Sequence, residues 1–185
     1  MTDNDRKLCS EARLSALLAA AAKDEARATG ELTALLLDFP SDPRLHFLKG
    51  SFLAGKQDYA AARMAMRRAV DLAPDYGIAR FQLGLLLLTS GEPYAAQEAW
   101  GPLHGLAAEH YLRLFVEGLC HLIRDEFGRA IQSLEEGIAR NAENPAMNRD
   151  MQLVIDEINR KRSDSGGASS VDLLLQQAAL KATRH

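Results

Sequence analysis

Cysteine is scarce in this sequence, and Cys9 and Cys120 alone exclude a disulfide-stapled scaffold or a cysteine-based zinc cluster. Their small number suits a reducing compartment, so the expected location is cytoplasmic. No excess of one charge is present: 22 basic against 25 acidic residues leave −3, too near neutrality for a protein that grips nucleic acid through its phosphates. No run of apolar residues approaches the roughly 18 that a membrane span needs. The most apolar N-terminal stretch, residues 14–22, resembles a short export signal, but Asp3, Asp5 and Glu11 precede it and argue against export. A length of 185 residues leaves little room for a separate cofactor domain, and no cofactor is expected. With 47% apolar and 25% charged residues, the chain has enough apolar side chain for a core.

What is present is an internal repeat. A shift of 34 residues superimposes Gly50, Gly84 and Gly118, and also Ala28, Ala62, Ala96 and Ala130. Bulk recurs in step at Leu32, Met66, Trp100 and Leu134, and an acidic residue at Asp24, Asp58, Glu92 and Glu126, where a second helix would need an N-cap. Small residues at fixed places let two helices cross closely, and the large ones fill the space beside each crossing. The expected units are four helix-turn-helix repeats, 9–42, 43–76, 77–110 and 111–144, after a disordered 1–8.

The first unit is a degenerate terminal repeat, with Ala16 where the others have glycine. Gly101 and Pro102 predict a kink or early stop near Trp100. Asn144 and Pro145 open a further amphipathic helix, expected over 145–162, whose stripe of Met147, Met151, Val154 and Ile158 would close the open end of the stack. A flexible linker is expected over 163–170 and a short amphipathic tail over 171–185.

The 34-residue period, with these small and large places and with Pro40 and Pro74 also 34 apart at ends of helical patterns, resembles the tetratricopeptide repeat family across about 136 residues. The resemblance implies an all-α, right-handed superhelical solenoid with a C-terminal capping helix. It also implies that the first helix of each unit lines a concave groove where ligands lie. In size and groove character the chain is similar to the small bacterial tetratricopeptide adaptors and secretion chaperones.

Three registers on the first helices form the candidate partner-binding stripe. Phe47, Phe81 and Phe115 share one, Ser51, Leu85 and Leu119 the next, and Ala54, Leu88 and Leu122 the third. The lysines and asparagines with which familiar family members clamp an acidic C-terminus are absent from it. An apolar groove suits an amphipathic helix or apolar peptide. Packing between neighbouring first helices explains the same residues as core, and both readings stay open. Leu85, Leu86, Leu87 and Leu88 cover a helix all round, so something must cover them. A client polypeptide, a second copy of the chain, and the chain's own stripe of Val171, Leu174, Leu175 and Ala178 are the candidates.

Chemical motifs are weak. Residues 50–56 fit G-x-x-x-x-G-K, but Gln57 follows in place of a magnesium-binding hydroxyl and no strand precedes Gly50. The five histidines show no metal-ligand spacing, and adjacent Cys120 and His121 point different ways around a helix. No metal site, catalytic residue or enzymatic activity is expected. The second unit carries six basic against three acidic residues, a local +3 around Arg63, Arg67 and Arg68. Such a cluster is either solvated surface or a dock for an acidic partner. The expected function is a non-catalytic adaptor or chaperone, the alternative a structural subunit of a larger complex or a homodimer with the groove permanently filled.

Overall fold

Helix starts follow the 34-residue register. In the computed structural model, which describes residues 8–164, the elements are α1 (Glu11–Ala21), α2 (Glu25–Asp38), α3 (Pro43–Gly55), α4 (Tyr59–Leu72), α5 (Gly77–Thr89), α6 (Pro93–Trp100), α7 (Tyr111–Ile123), α8 (Phe127–Arg140) and α9 (Pro145–Asp164). The second helices α2, α4, α6 and α8 begin at 25, 59, 93 and 127, while α3, α5, α7 and α9 begin at 43, 77, 111 and 145. Among the described residues there is no strand, so the chain is an all-α helical repeat of consecutive pairs. The disordered start expected over 1–8 and the tail expected over 171–185 fall, apart from Leu8, outside the described residues. α9 runs two residues beyond its expected end, to Asp164, into the span assigned to the linker.

Three of the pairs are held by a glycine facing a large residue. A Cβ added at Gly50 would stand 2.5 Å from Met66 Cγ, at Gly84 2.1 Å from the Trp100 indole nitrogen, and at Gly118 2.7 Å from Leu134 Cγ. These are the residues that the register pairs, so the spacing reflects close helix crossings. Trp100 is fully buried, and its indole N–H donates to the Phe81 carbonyl at 3.0 Å. Immediately after it, Gly101 and Pro102 end α6 in a 3-10 turn, Gly101–Gly105.

The acidic register caps only half of its helices. Asp24 accepts from the Arg27 N–H at 3.0 Å and Asp58 from the Ala61 N–H at 3.1 Å, as a helix N-terminus requires. Glu92 and Glu126 occupy the same places without a side-chain cap bond, because the extra methylene carries the carboxylate past the first turn. Glu126 pairs instead with His121 and Arg124, which hold its carboxyl below the usual range.

Two compact units divide the chain, 1–79 and 80–185, with α5 crossing the boundary. In the first, Leu14, Leu17, Ala28, Leu32, Phe39 and Leu45 form a core of α1, α2 and α3. In the second, α7 packs on α8, and α8 on α9.

Candidate functional site

The stripe expected to bind a partner divides between the interior and the surface. Phe47 lies half-buried on α3, edge-on to Tyr76 with ring centroids 5.5 Å apart. Leu85 is likewise half-buried on α5. The other five members, Phe81, Leu88, Phe115, Leu119 and Leu122, are at most 2% exposed. In the second unit Phe81 sits 6.3 Å from the Trp100 ring and 5.9 Å from Phe115, which in turn meets Tyr111 at 5.9 Å. A Cβ at Gly137 of α8 would collide with Phe115 Cδ1 at 2.5 Å, so that ring fills a gap left by a second glycine. The structure therefore brings Phe81 and Phe115 together as packing groups, and Phe47 and Leu85 are the members with surface to offer.

α7 buries nine of its side chains or small residues around nearly its whole circumference. Its Arg113 Nε donates to Glu117 at 2.8 Å and Arg113 Nη1 to the Leu106 carbonyl at 3.0 Å, while His121 pairs with Glu126. Large apolar side chains do reach solvent elsewhere, at Leu37 and Met64 in the first unit and Tyr94 in the second. Single exposed apolar residues of this kind are ordinary for a protein surface.

Two polar pins were invisible in the spacing. Asp42, with no exposed surface, accepts the Cys9 N–H at 2.8 Å and the Arg44 N–H at 2.9 Å, and pairs with the Arg44 guanidinium at 2.7 Å. Arg44 also donates to the Cys9 carbonyl at 2.6 Å and to Glu11. The segment before α1 is thereby fastened to the start of α3. Burial pushes the Asp42 carboxyl up, but the Arg44 and Cys9 hydrogen bonds outweigh it and leave it below its ordinary value. Asn141, 4% exposed, joins α8 to α9. Its Nδ2 donates to the Asn144 carbonyl at 2.9 Å and to Asn148 Oδ1 at 2.7 Å, while its Oδ1 accepts the N–H groups of Glu143 and Asn144. The only hints in the sequence are Asp42 and Asn144, each one residue before a helix-opening proline and three 34-residue steps apart.

Groups that resembled chemistry have structural tasks. Lys56 reaches Thr29 Oγ1 at 3.1 Å and Glu25 at 3.7 Å across to α2, and Gly50 packs on Met66. Burial pushes both the Cys9 and Cys120 thiols up, so neither is a thiolate at neutral pH. Among the described residues no group of three or more histidine, cysteine, aspartate or glutamate side chains is placed to hold a metal ion, and no helix is long and apolar enough to cross a membrane.

These helix pairs define a helical-repeat protein. Residues 43–76, spanning α3, α4 and the turn that leads to α5, match the family model of the tetratricopeptide repeat, so this stretch is similar to one such repeat. Repeats of this family generally mediate protein–protein contacts and are typically non-catalytic. No curated protein matches the sequence.

Proposed function

We propose that the chain is an adaptor or chaperone that holds an amphipathic helix or apolar peptide along the inner side of its first helices. The observation that supports this reading is their composition: in α5 only Arg80, Gln82 and Thr89 interrupt the apolar sequence, and in α7 only Arg113, Glu117 and His121. Helices so nearly apolar all round require cover on every side. Phe47 in the first unit and Leu85 in the second are the half-buried members of the stripe, and the other five are buried. The two free, buried cysteines suit work in the cytoplasm.

A test follows from the difference in burial. Lysine at Phe81 or Phe115 would place a charge in the interior and disrupt the fold, whereas Phe47→Lys and Leu85→Lys act at half-buried positions. The double variant should keep its helix content and lose the polypeptide that co-purifies with the native chain, identified by mass spectrometry. Undiminished capture by the folded variant refutes the reading.

A second reading, a subunit or homodimer with its groove permanently filled, is favoured by the four successive leucines, Leu85 to Leu88, three of them buried. Native mass spectrometry separates the two: a client is substoichiometric and exchangeable, a subunit holds a fixed ratio. Deletion of residues 165–185 tests the chain's own Val171, Leu174, Leu175 and Ala178 stripe as the occupant, since it should raise client affinity only if that segment competes.

A further inference from the structure

Glu157 and Ile158 are more deeply buried than their places in the repeat account for. In the three preceding units the position of Ile158 is held by Lys56, Ser90 and Arg124, all exposed, and that of Glu157 by Gly55, Thr89 and Ile123, half-buried or exposed. Those positions lie where a first helix ends and its turn begins. On α9 the same two positions are only 3% and 1% exposed. One of them is a carboxylate, paired with Arg160, and burying a charge is costly unless the site is well covered and paired.

α8 alone does not explain this cover. Its 14 residues make a helix of about 21 Å, and the 20 residues of α9 one of about 30 Å. α9 returns along α8 from Pro145, so its side chains should become more exposed towards its far end, where it outruns its neighbour. Burial there rises instead. In earlier units the second helix covers the first, as α4 packs on α3 and α8 on α7. The 34-residue register would start a fifth second helix at 161, but α9 runs through that place to Asp164.

We propose that residues 171–182, which lie outside the described residues, form a delayed second helix that folds back along the last turns of α9 and covers Glu157 and Ile158. The sequence of this segment fits the task. Ser169 and Asp172 match a capping pattern, and Val171, Leu174, Leu175 and Ala178 recur at helical spacing on one face. Reach selects it as well: residues 165–170 extend at most about 20 Å, which keeps the segment near the end of α9. Turned back antiparallel, it brings the acidic Asp172 of its first turn towards Lys161 and Arg162 in the last turn of α9. A segment docked there lies on α9 and not on the stripe of Phe47 and Leu85, so the proposal stands apart from the partner-binding reading.

Hydrogen–deuterium exchange of the full chain tests it. In L174K/L175K the amides of residues 154–160 should exchange at least tenfold faster, while those of α7 and of α1 to α4 keep their native rates. L174A/L175A should give a smaller change in the same place, and Gln176→Lys, on the opposite side of the segment, none. Protection of 154–160 in the native chain should be equal at about 5 and 200 µM, as an intramolecular contact requires. Native exchange rates at 154–160 in L174K/L175K overturn the proposal. So does protection that rises with concentration, which assigns the cover to a second copy, or a loss in both double variants that spreads equally over α7 and α8. An equal loss in Gln176→Lys overturns it too, because added charge and not lost packing would then be the cause.

Discussion

Gly84→Ala adds one methyl group where, among the described glycines, it would meet a neighbour most closely, and its cost follows from the neighbours it meets. The new Cβ would stand 2.1 Å from Trp100 Nε1 and 2.5 Å from both Cδ1 and Cε2. The indole has no room to yield: it is fully buried, stacked near Phe81, and hydrogen-bonded through Nε1 to the Phe81 carbonyl. Overpacking of this kind costs about 1–3 kcal/mol, and moving the ring sacrifices a hydrogen bond that contributes about 1 kcal/mol. Alanine returns about 1 kcal/mol in helix propensity over glycine. The net loss is about 1–3 kcal/mol, a Tm lower by roughly 2–4 °C for each kcal/mol in a chain of this size. At Gly50 the nearest atom is the flexible Met66 Cγ, 2.5 Å from the added Cβ, so Gly50→Ala should cost clearly less. Because the chain has one tryptophan, fluorescence reports unfolding of this crossing while circular dichroism reports all helices. Combining Gly84→Ala with Trp100→Leu should recover about 1 kcal/mol relative to the sum of the single changes. A Gly84→Ala protein as stable as the native one, or equal losses at Gly50 and Gly84, would refute the steric reasoning.

Helix placement was legible because a repeat must satisfy the same packing constraint several times. Gly50, Gly84 and Gly118 each face the large residue that the 34-residue shift assigns to them, so sequence identity in register translated directly into contact. Direction was harder to read. The same shift makes Phe81 and Phe115 equivalent without saying which side of the helix they occupy, and their burial depends on Trp100 and on Gly137, which has no glycine counterpart in the other units. Backbone sign was also hidden. Gln57, Gly91 and Asp125 stand at one register position and all take positive φ, at 64°, 79° and 58°. Only one of the three is glycine, so composition alone gives no hint of a shared left-handed turn. Asp42 and Asn141 escaped for a different reason: half of the bonds to Asp42 and most of those to Asn141 involve backbone groups, which leave no residue type to search for.

Asn141→Ala removes the bonds that fasten α9 to α8 and should cost about 2 kcal/mol, read as roughly thirtyfold faster amide exchange in α9 with α7 less affected. Gln57→Gly relieves a left-handed residue and should raise stability by about 0.5–1 kcal/mol, while Gly91→Ala should lower it by about 1 kcal/mol; chemical denaturation that gives both changes the same sign excludes the shared-turn reading. The last expectation concerns Asp150, half-buried on α9, where burial pushes the carboxyl up to about 6 and the neighbouring Arg149 offsets only part of that rise. With the folded value above the unfolded one, the folded protein holds the extra proton between about pH 4 and 6, so this group lowers stability as pH rises through that window. Asp42 acts in the opposite sense and in a lower window, because its folded value is depressed: its contribution is present above about pH 4 and lost as the solution is acidified further. Asp150→Asn should therefore flatten the stability profile between pH 4 and 6 and stabilise the protein at pH 7 by about 1–3 kcal/mol, leaving the acid limb in place. Urea midpoints measured across pH 3 to 8 for both proteins decide it, and parallel curves through pH 4 to 6 would show that burial does not hold the Asp150 proton.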